Sequence, residues 1–177
     1  MSGIVQVGGV ALASHDSVSD KVSLDSGVVF PAGHIIYVDT TAFTSTGAGS
    51  DPGTTWTATS LSITVPSATV ALCSKIYVSV SNAFQVSKLS AGTMASFRIE
   101  RTSPSGSTIA RANRLGNDGN DHNEFEFIGI NGLDESLGSG DHIYQLQYSD
   151  AESKCGVIYY HGVDTASISN ITVMGVV

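Results

Sequence analysis

Charge is scarce in this chain. Only 14% of its 177 residues are Asp, Glu, Lys or Arg, and the mixtures of Ala, Leu, Glu and Lys that sustain helices are nowhere concentrated, so almost no helix is expected. Positive charge is scarcer still: eight Lys and Arg against sixteen Asp and Glu leave a formal net charge of −8. A phosphate backbone or an anionic lipid surface repels such a chain, so no nucleic acid and no membrane partner is expected. There is no apolar run near 18 residues and no basic start followed by an apolar stretch. Neither a membrane span nor a secretory signal is read, and the chain is expected to be soluble and made in a cytoplasm. Cysteine is reduced to Cys73 and Cys155, each just before an apolar run. They allow one bridge at most, and in a cytosolic product both are expected to stay reduced.

Catalytic patterns are missing too. No Gly-x-Ser-x-Gly elbow occurs, and Gly138-Ser139-Gly140-Asp141 reads as a turn string. His15, His34, His122, His142 and His161 stand singly, with no His-x-His or His-x-x-x-His spacing to hold zinc or iron. The loop Asn117-Asp118-Gly119-Asn120-Asp121-His122-Asn123-Glu124 is rich in oxygen ligands, yet it lacks the ordered series and the twelfth-place Glu of a calcium loop. Asx turns explain it. Glu124 and Glu126 share one face of a strand and read as solvated acids. No nucleophile, base and orienting group come together, so no enzyme, metal or cofactor is expected.

What is abundant is Gly (19 residues), Ser, Thr and β-branched residues, a composition for short strands joined by tight turns. From Ile35 onward apolar residues recur at every second position, as a half-buried strand requires. Strands are predicted over Ile35–Phe43, Trp56–Val65, Lys75–Val80, Met94–Arg101, Thr108–Ala112, Glu124–Ile130, Ile143–Tyr148, Val157–Tyr160 and Ile168–Val176. Phe97 and Ile99 are set on one face, with Arg98 and Glu100 on the other. Eight or nine strands without helical interludes exclude βαβ architectures. They predict an all-β, antiparallel two-sheet β-sandwich of jelly-roll type.

Phe30-Pro31-Ala32-Gly33 breaks any pairing ahead of the first long alternation. This sets a boundary between an N-terminal arm, 1–29, and the β-sandwich domain, 30–177. In the arm, Ile4, Val5 and Val7 are separated by Gly8-Gly9 from Val10 and Leu12. Two readings fit: a first strand pair of the sandwich, or an extended arm laid against another subunit by β-addition. Extended, the arm would reach at most ~100 Å. All four arginines, Arg98, Arg101, Arg111 and Arg114, fall on one predicted hairpin. They pair with neighbouring carboxylates such as Glu100 or form a docking patch for an acidic protein surface.

Phe30-Pro31-Ala32-Gly33-His34-Ile35-Ile36, Ser62-Ile63-Thr64-Val65-Pro66, Ser74-Lys75-Ile76-Tyr77-Val78-Ser79-Val80 and the closing Ser169-Asn170-Ile171-Thr172-Val173-Met174 resemble small β-sandwich structural proteins of tailed bacteriophages. The resemblance covers about residues 30 to 177. It implies a virion protein assembled in the host cytoplasm, commonly trimeric, and either a capsid decoration (cement) protein or the head of a tail fibre. The short leader favours a decoration protein on the capsid surface whose arm bridges neighbouring major capsid protein subunits. The alternative from another class is a receptor or glycan binder that reads sugar with loops 44–54 and 116–124.

Overall fold

The computed structural model describes residues 4–7, 10–16, 21–24, 31–43, 53–89, 94–115, 124–150, 155–161 and 169–177. The chain divides into two compact units, Met1–His34 and Ile35–Val177.

The first unit holds three short strands, β1 (Ile4–Val7), β2 (Val10–Asp16) and β3 (Lys21–Leu24). They pair with one another as an antiparallel sheet in the order β1-β2-β3. Val7 lies opposite Val10 across the Gly8-Gly9 link, and Ala13 lies opposite both Val5 and Leu24. The leader is therefore a folded meander, far shorter than its extended chain length. At the end of this unit Gly33 has φ of 90°, a left-handed angle that disfavours any other residue. The His34 N–H donates to Pro31 O to close the turn.

The second unit carries β4 (Ile35–Phe43), β5 (Thr57–Val65), the short helix α1 (Ser67–Val70), β6 (Lys75–Leu89), β7 (Met94–Ser103), β8 (Ser107–Leu115), β9 (Glu124–Asp134), β10 (His142–Asp150), β11 (Cys155–His161) and β12 (Ser169–Val176). One sheet runs β5-β10-β7-β8. In the other, β4 pairs β12, β12 pairs β6, and β6 pairs β9. A strand has two edges, and β9 occupies one edge of β6 from Ile76 to Val86. The other edge therefore holds β12 along Lys75–Ser81 and then β11 along Ala83–Leu89. The pairs are nested: β4 with β12, β5 with β10, β6 with β9, β7 with β8. A long hairpin rolled up on itself gives this order, which is the jelly roll.

The period-two pattern closes the interior. Leu61, Ile63 and Val65 of β5, Ile76, Val78 and Val80 of β6, Phe97 and Ile99 of β7, Leu146 of β10, and Ile171 and Val173 of β12 are all buried. Phe84 of one sheet meets Phe97 of the other, with ring centroids 4.6 Å apart. The β5–β10 ladder bulges at Gln145/Gln147. There the Thr59 hydroxyl donates to Leu146 O and accepts from Leu61 N–H, so the bulge's freed backbone groups stay bonded.

Several strands outrun their predicted bounds: Met94–Arg101 reaches Ser103, Thr108–Ala112 spans Ser107–Leu115, Glu124–Ile130 reaches Asp134 and Val157–Tyr160 spans Cys155–His161. The strand predicted to stop at Val80 runs to Leu89. Ser81-Asn82 looks like a polar break, but buried Asn82 Oδ1 accepts from the Ser169 hydroxyl, which in turn accepts from Ala83 N–H. A further difference is α1, a single turn following Pro66.

Candidate functional site

The arginine hairpin separates into two environments. β7 and β8 pair antiparallel, joined by a turn at 104–106, and set Arg98 opposite Arg111. Two guanidinium groups face to face repel each other. Trp56, just ahead of β5, relieves that: its ring lies 4.5 Å from Arg98 Cζ and 5.1 Å from Arg111 Cζ. The negative face of an indole attracts both cations. The strand order means the side chain reaches across β10 to meet them. Arg98 is further fixed by Nε and Nη2 donating to Gln147 Oε1, at 2.9 and 2.7 Å, and lies 3.4 Å from the Glu100 carboxylate. Arg111 donates to Asn113 Oδ1 and, at 3.5 Å, to Ser96 Oγ. It is exposed, and no carboxylate among the described residues pairs with it. The outer face of this sheet thus presents a half-buried indole bracketed by two guanidinium groups.

Arg101 does not belong to that surface. The alternation that buries Phe97 and Ile99 also turns Arg101 inward, where it is 5% exposed. Its Nη1 donates to both oxygens of Asp134, at 3.0 and 2.7 Å, and to Ser136 O. Tyr144 Oη donates to the same carboxylate at 2.8 Å, and Ser136 N–H adds a third donor and a fourth hydrogen bond. Burial and the adjacent Asp134 charge push the Tyr144 hydroxyl far above its usual range, so it remains a donor. Arg101 is a structural cation and not a docking residue. Arg114 sits on β8 opposite Ala95; its side chain lies outside the described residues.

Ile4, Val5 and Val7 stand on β1 and Val10 and Leu12 on β2, again with side chains outside the described residues. Residues 44–52 and the Asx-rich loop 116–123 also lie outside them. Among the described residues no group of three or more His, Cys, Asp or Glu could hold a metal ion. His34 is exposed against Pro31 O, and His142 is fully buried with Nδ1 at 3.1 Å from Gly140 O.

A cleft of about 540 Å³ opens between α1 and residues 137–140. Cys73 lines it as a free thiol that donates to Thr69 O. Burial pushes that thiol's pKa up, which makes it a poor nucleophile. The thiol is also wedged against β12: a Cβ at Gly175 would lie 2.6 Å from its sulfur. Cys155 is on β11, its side chain outside the described residues.

Sequence reasoning missed Asp134 and the indole bracket. The first carried no local signal, since its partner is 33 residues away. The second was signalled by the single Trp at the margin of a strand beside an arginine-rich hairpin.

No family model matches the chain, and no curated protein does. Among solved structures it is similar to one of infectious bursal disease virus Gx strain, with TM-score 0.37 and 11% identity over 88% of this chain and 45% of that one. A second is the infectious bursal disease virus VP2 subviral particle, with TM-score 0.31 and 9% identity over 89% of this chain and 46% of that one. The chain spans less than half the length of each. At such low scores the likeness decides nothing, and the jelly roll rests on this chain's own strand order.

Proposed function

We propose that the chain is a non-enzymatic virion structural protein, a capsid decoration (cement) protein that bridges neighbouring major capsid protein subunits through its N-terminal unit. The observation that carries this reading is the division of the chain. Residues 35–177 roll into a sandwich that buries its own core, while Met1–His34 is a separate unit of strands four, seven and four residues long. Three strands that short form a single sheet with no second layer, and any apolar face of that sheet gains stability by packing on another surface. A self-sufficient body joined to a leader that needs a partner is the layout of a clamp. Jelly rolls recur in viral capsids, which is support by fold analogy. Ile4, Val5, Val7, Val10 and Leu12 would each contribute at most ~1.5–3 kcal/mol on burial, less the cost of ordering. Several copies on one shell multiply that weak grip.

Deleting residues 1–24 is expected to leave a soluble, folded body that no longer co-sediments with heads of the phage that encodes it. Co-sedimentation that survives the deletion refutes the clamp.

The second reading, a receptor or glycan binder at a tail-fibre head, is favoured by one observation, the Trp56 ring held between Arg98 and Arg111. An aromatic plate beside a guanidinium suits an acidic sugar. A panel of immobilised acidic glycans decides it.

A further inference from the structure

The sheet face opposite the arginine patch is unlike an ordinary solvated face. Antiparallel sheets that face water alternate apolar-in and polar-out. Here one whole outward row is apolar: Val38 lies opposite Met174, Met174 opposite Tyr77, and Tyr77 opposite Leu133. Val38 is 58% exposed and Leu133 43%. The next row is polar and internally bonded, with Thr40 Oγ1 at 2.9 Å from Thr172 Oγ1 and the Ser79 hydroxyl donating to Asn131. The apolar row ends at β4, the edge of this sheet.

That edge is also lightly guarded from Tyr37 to Phe43. Proteins protect edge strands with charge, Pro or bulges. Of the other strands bordering the two main sheets, β8 carries Arg111 and Arg114, β9 carries Glu124 and Glu126, and β5 borders a bulge; β11, Cys-Gly-Val-Ile-Tyr-Tyr-His, has neither charge nor Pro, but it lies along Ala83–Leu89 of β6, away from the apolar row. β4, Ile-Ile-Tyr-Val-Asp-Thr-Thr-Ala-Phe, has one charge, Asp39, no Pro, a register shift against β12 at its start between Ile35 and Tyr37, and a regular ladder from Tyr37 to Phe43. Both of its faces are open to solvent over most of its length.

We propose that β4 is where two copies of this chain meet, pairing antiparallel about a two-fold axis at Val38 so that the two sheets run on as one. The register follows from self-complementarity. An axis at Asp39 would set two carboxylates face to face, which is unfavourable. An axis at Val38 sets Asp39 opposite the second copy's Tyr37, and within one chain the Tyr37 hydroxyl already donates to Asp39 at 3.2 Å. It also sets Ile36 opposite Thr40 and joins the two apolar rows at Val38. Such an interface is isologous and closes at two, so it replaces the trimer implied by the family resemblance. It stands independently of the virion reading. Because each copy carries −8, salt should tighten the pair by screening their mutual repulsion.

The test is light scattering and sedimentation of the full chain over a concentration series, with twice the chain mass expected. Val38→Lys places two like charges on the axis and should raise the dimer dissociation constant about tenfold or more. Its thermal midpoint, measured as a monomer, should stay unchanged, since Val38 is exposed. Register is read by cysteine: in a Cys73→Ser, Cys155→Ser background, Val38→Cys should form a disulfide-linked dimer on mild oxidation. Thr40→Cys should not, because the two copies of residue 40 would lie about 13 Å apart, beyond disulfide reach. A monomer or trimer at every concentration overturns the proposal. So does an unaffected Val38→Lys dimer, or cross-linking at 40 and not at 38.

Discussion

Arg98 and Arg101 lie three residues apart on one strand and have little else in common. Arg98 stays on the outer face among Gln147, Glu100 and Trp56. Arg101 is held inside by Asp134, which also binds Tyr144. Residue type did not assign these roles; strand parity did, since 97, 99 and 101 face inward together. A buried guanidinium costs several kcal/mol unless its charge is matched and its donors are met. The inner site has therefore acquired a buried carboxylate that accepts four hydrogen bonds, whereas the outer arginine bonds a neutral amide, Gln147, and lies 3.4 Å from the Glu100 carboxylate.

The strongest way to break this contrast is to remove one inner partner. Asp134→Ala leaves the Arg101 charge buried and should cost about 3–5 kcal/mol in urea unfolding. Replacing both partners, Arg101→Met with Asp134→Leu, removes the charge as well and should cost less than the single change. A single variant milder than the double would mean that the pair is not desolvated as its burial implies.

Tyr144 sharpens the contrast with pH. Its folded-state pKa stands above the 10.0 of an exposed tyrosine, so its contribution is complete below about pH 10. Above that the unfolded chain ionises first, and stability falls as pH rises. Tyr144→Phe should cost about 1 kcal/mol at neutral pH through the lost hydrogen bond. It should also make the alkaline decline shallower, though not flat, because burial raises Cys73, and burial with Asp39 raises Tyr37, in the same direction. The check is a set of denaturant melts from pH 7 to 11.

The sandwich was legible because period two is a local signal. Ile35–Phe43 emerged with the expected bounds and Trp56–Val65 within one residue. What escaped depended on partners far along the chain. Asn82 looked like a strand end until Ser169, 87 residues on, donated to its side-chain oxygen. Gly8-Gly9 marked a turn but could not say that the two apolar clusters flanking it would pair with each other. Arg101 was grouped with the exposed arginines by proximity in sequence, although the same alternation that placed Phe97 and Ile99 already put it inside.

The outer site carries the smallest expected effect. Arg111 is exposed, its hydrogen bonds are 3.3 and 3.5 Å long, and its main contact is the Trp56 ring. Arg111→Ala should cost only about 0.5–1 kcal/mol, the range of an exposed cation–π contact. It would also remove the like-charge opposition with Arg98, which pulls the cost lower still. A loss as large as that of Asp134→Ala would mean the outer face is structural and leave no surface for a ligand. A near-neutral change in stability, together with loss of binding to acidic glycans, would instead assign the indole bracket to recognition. That pairing of outcomes is what separates a site from a support, because a group that holds the fold cannot be removed without moving the unfolding transition.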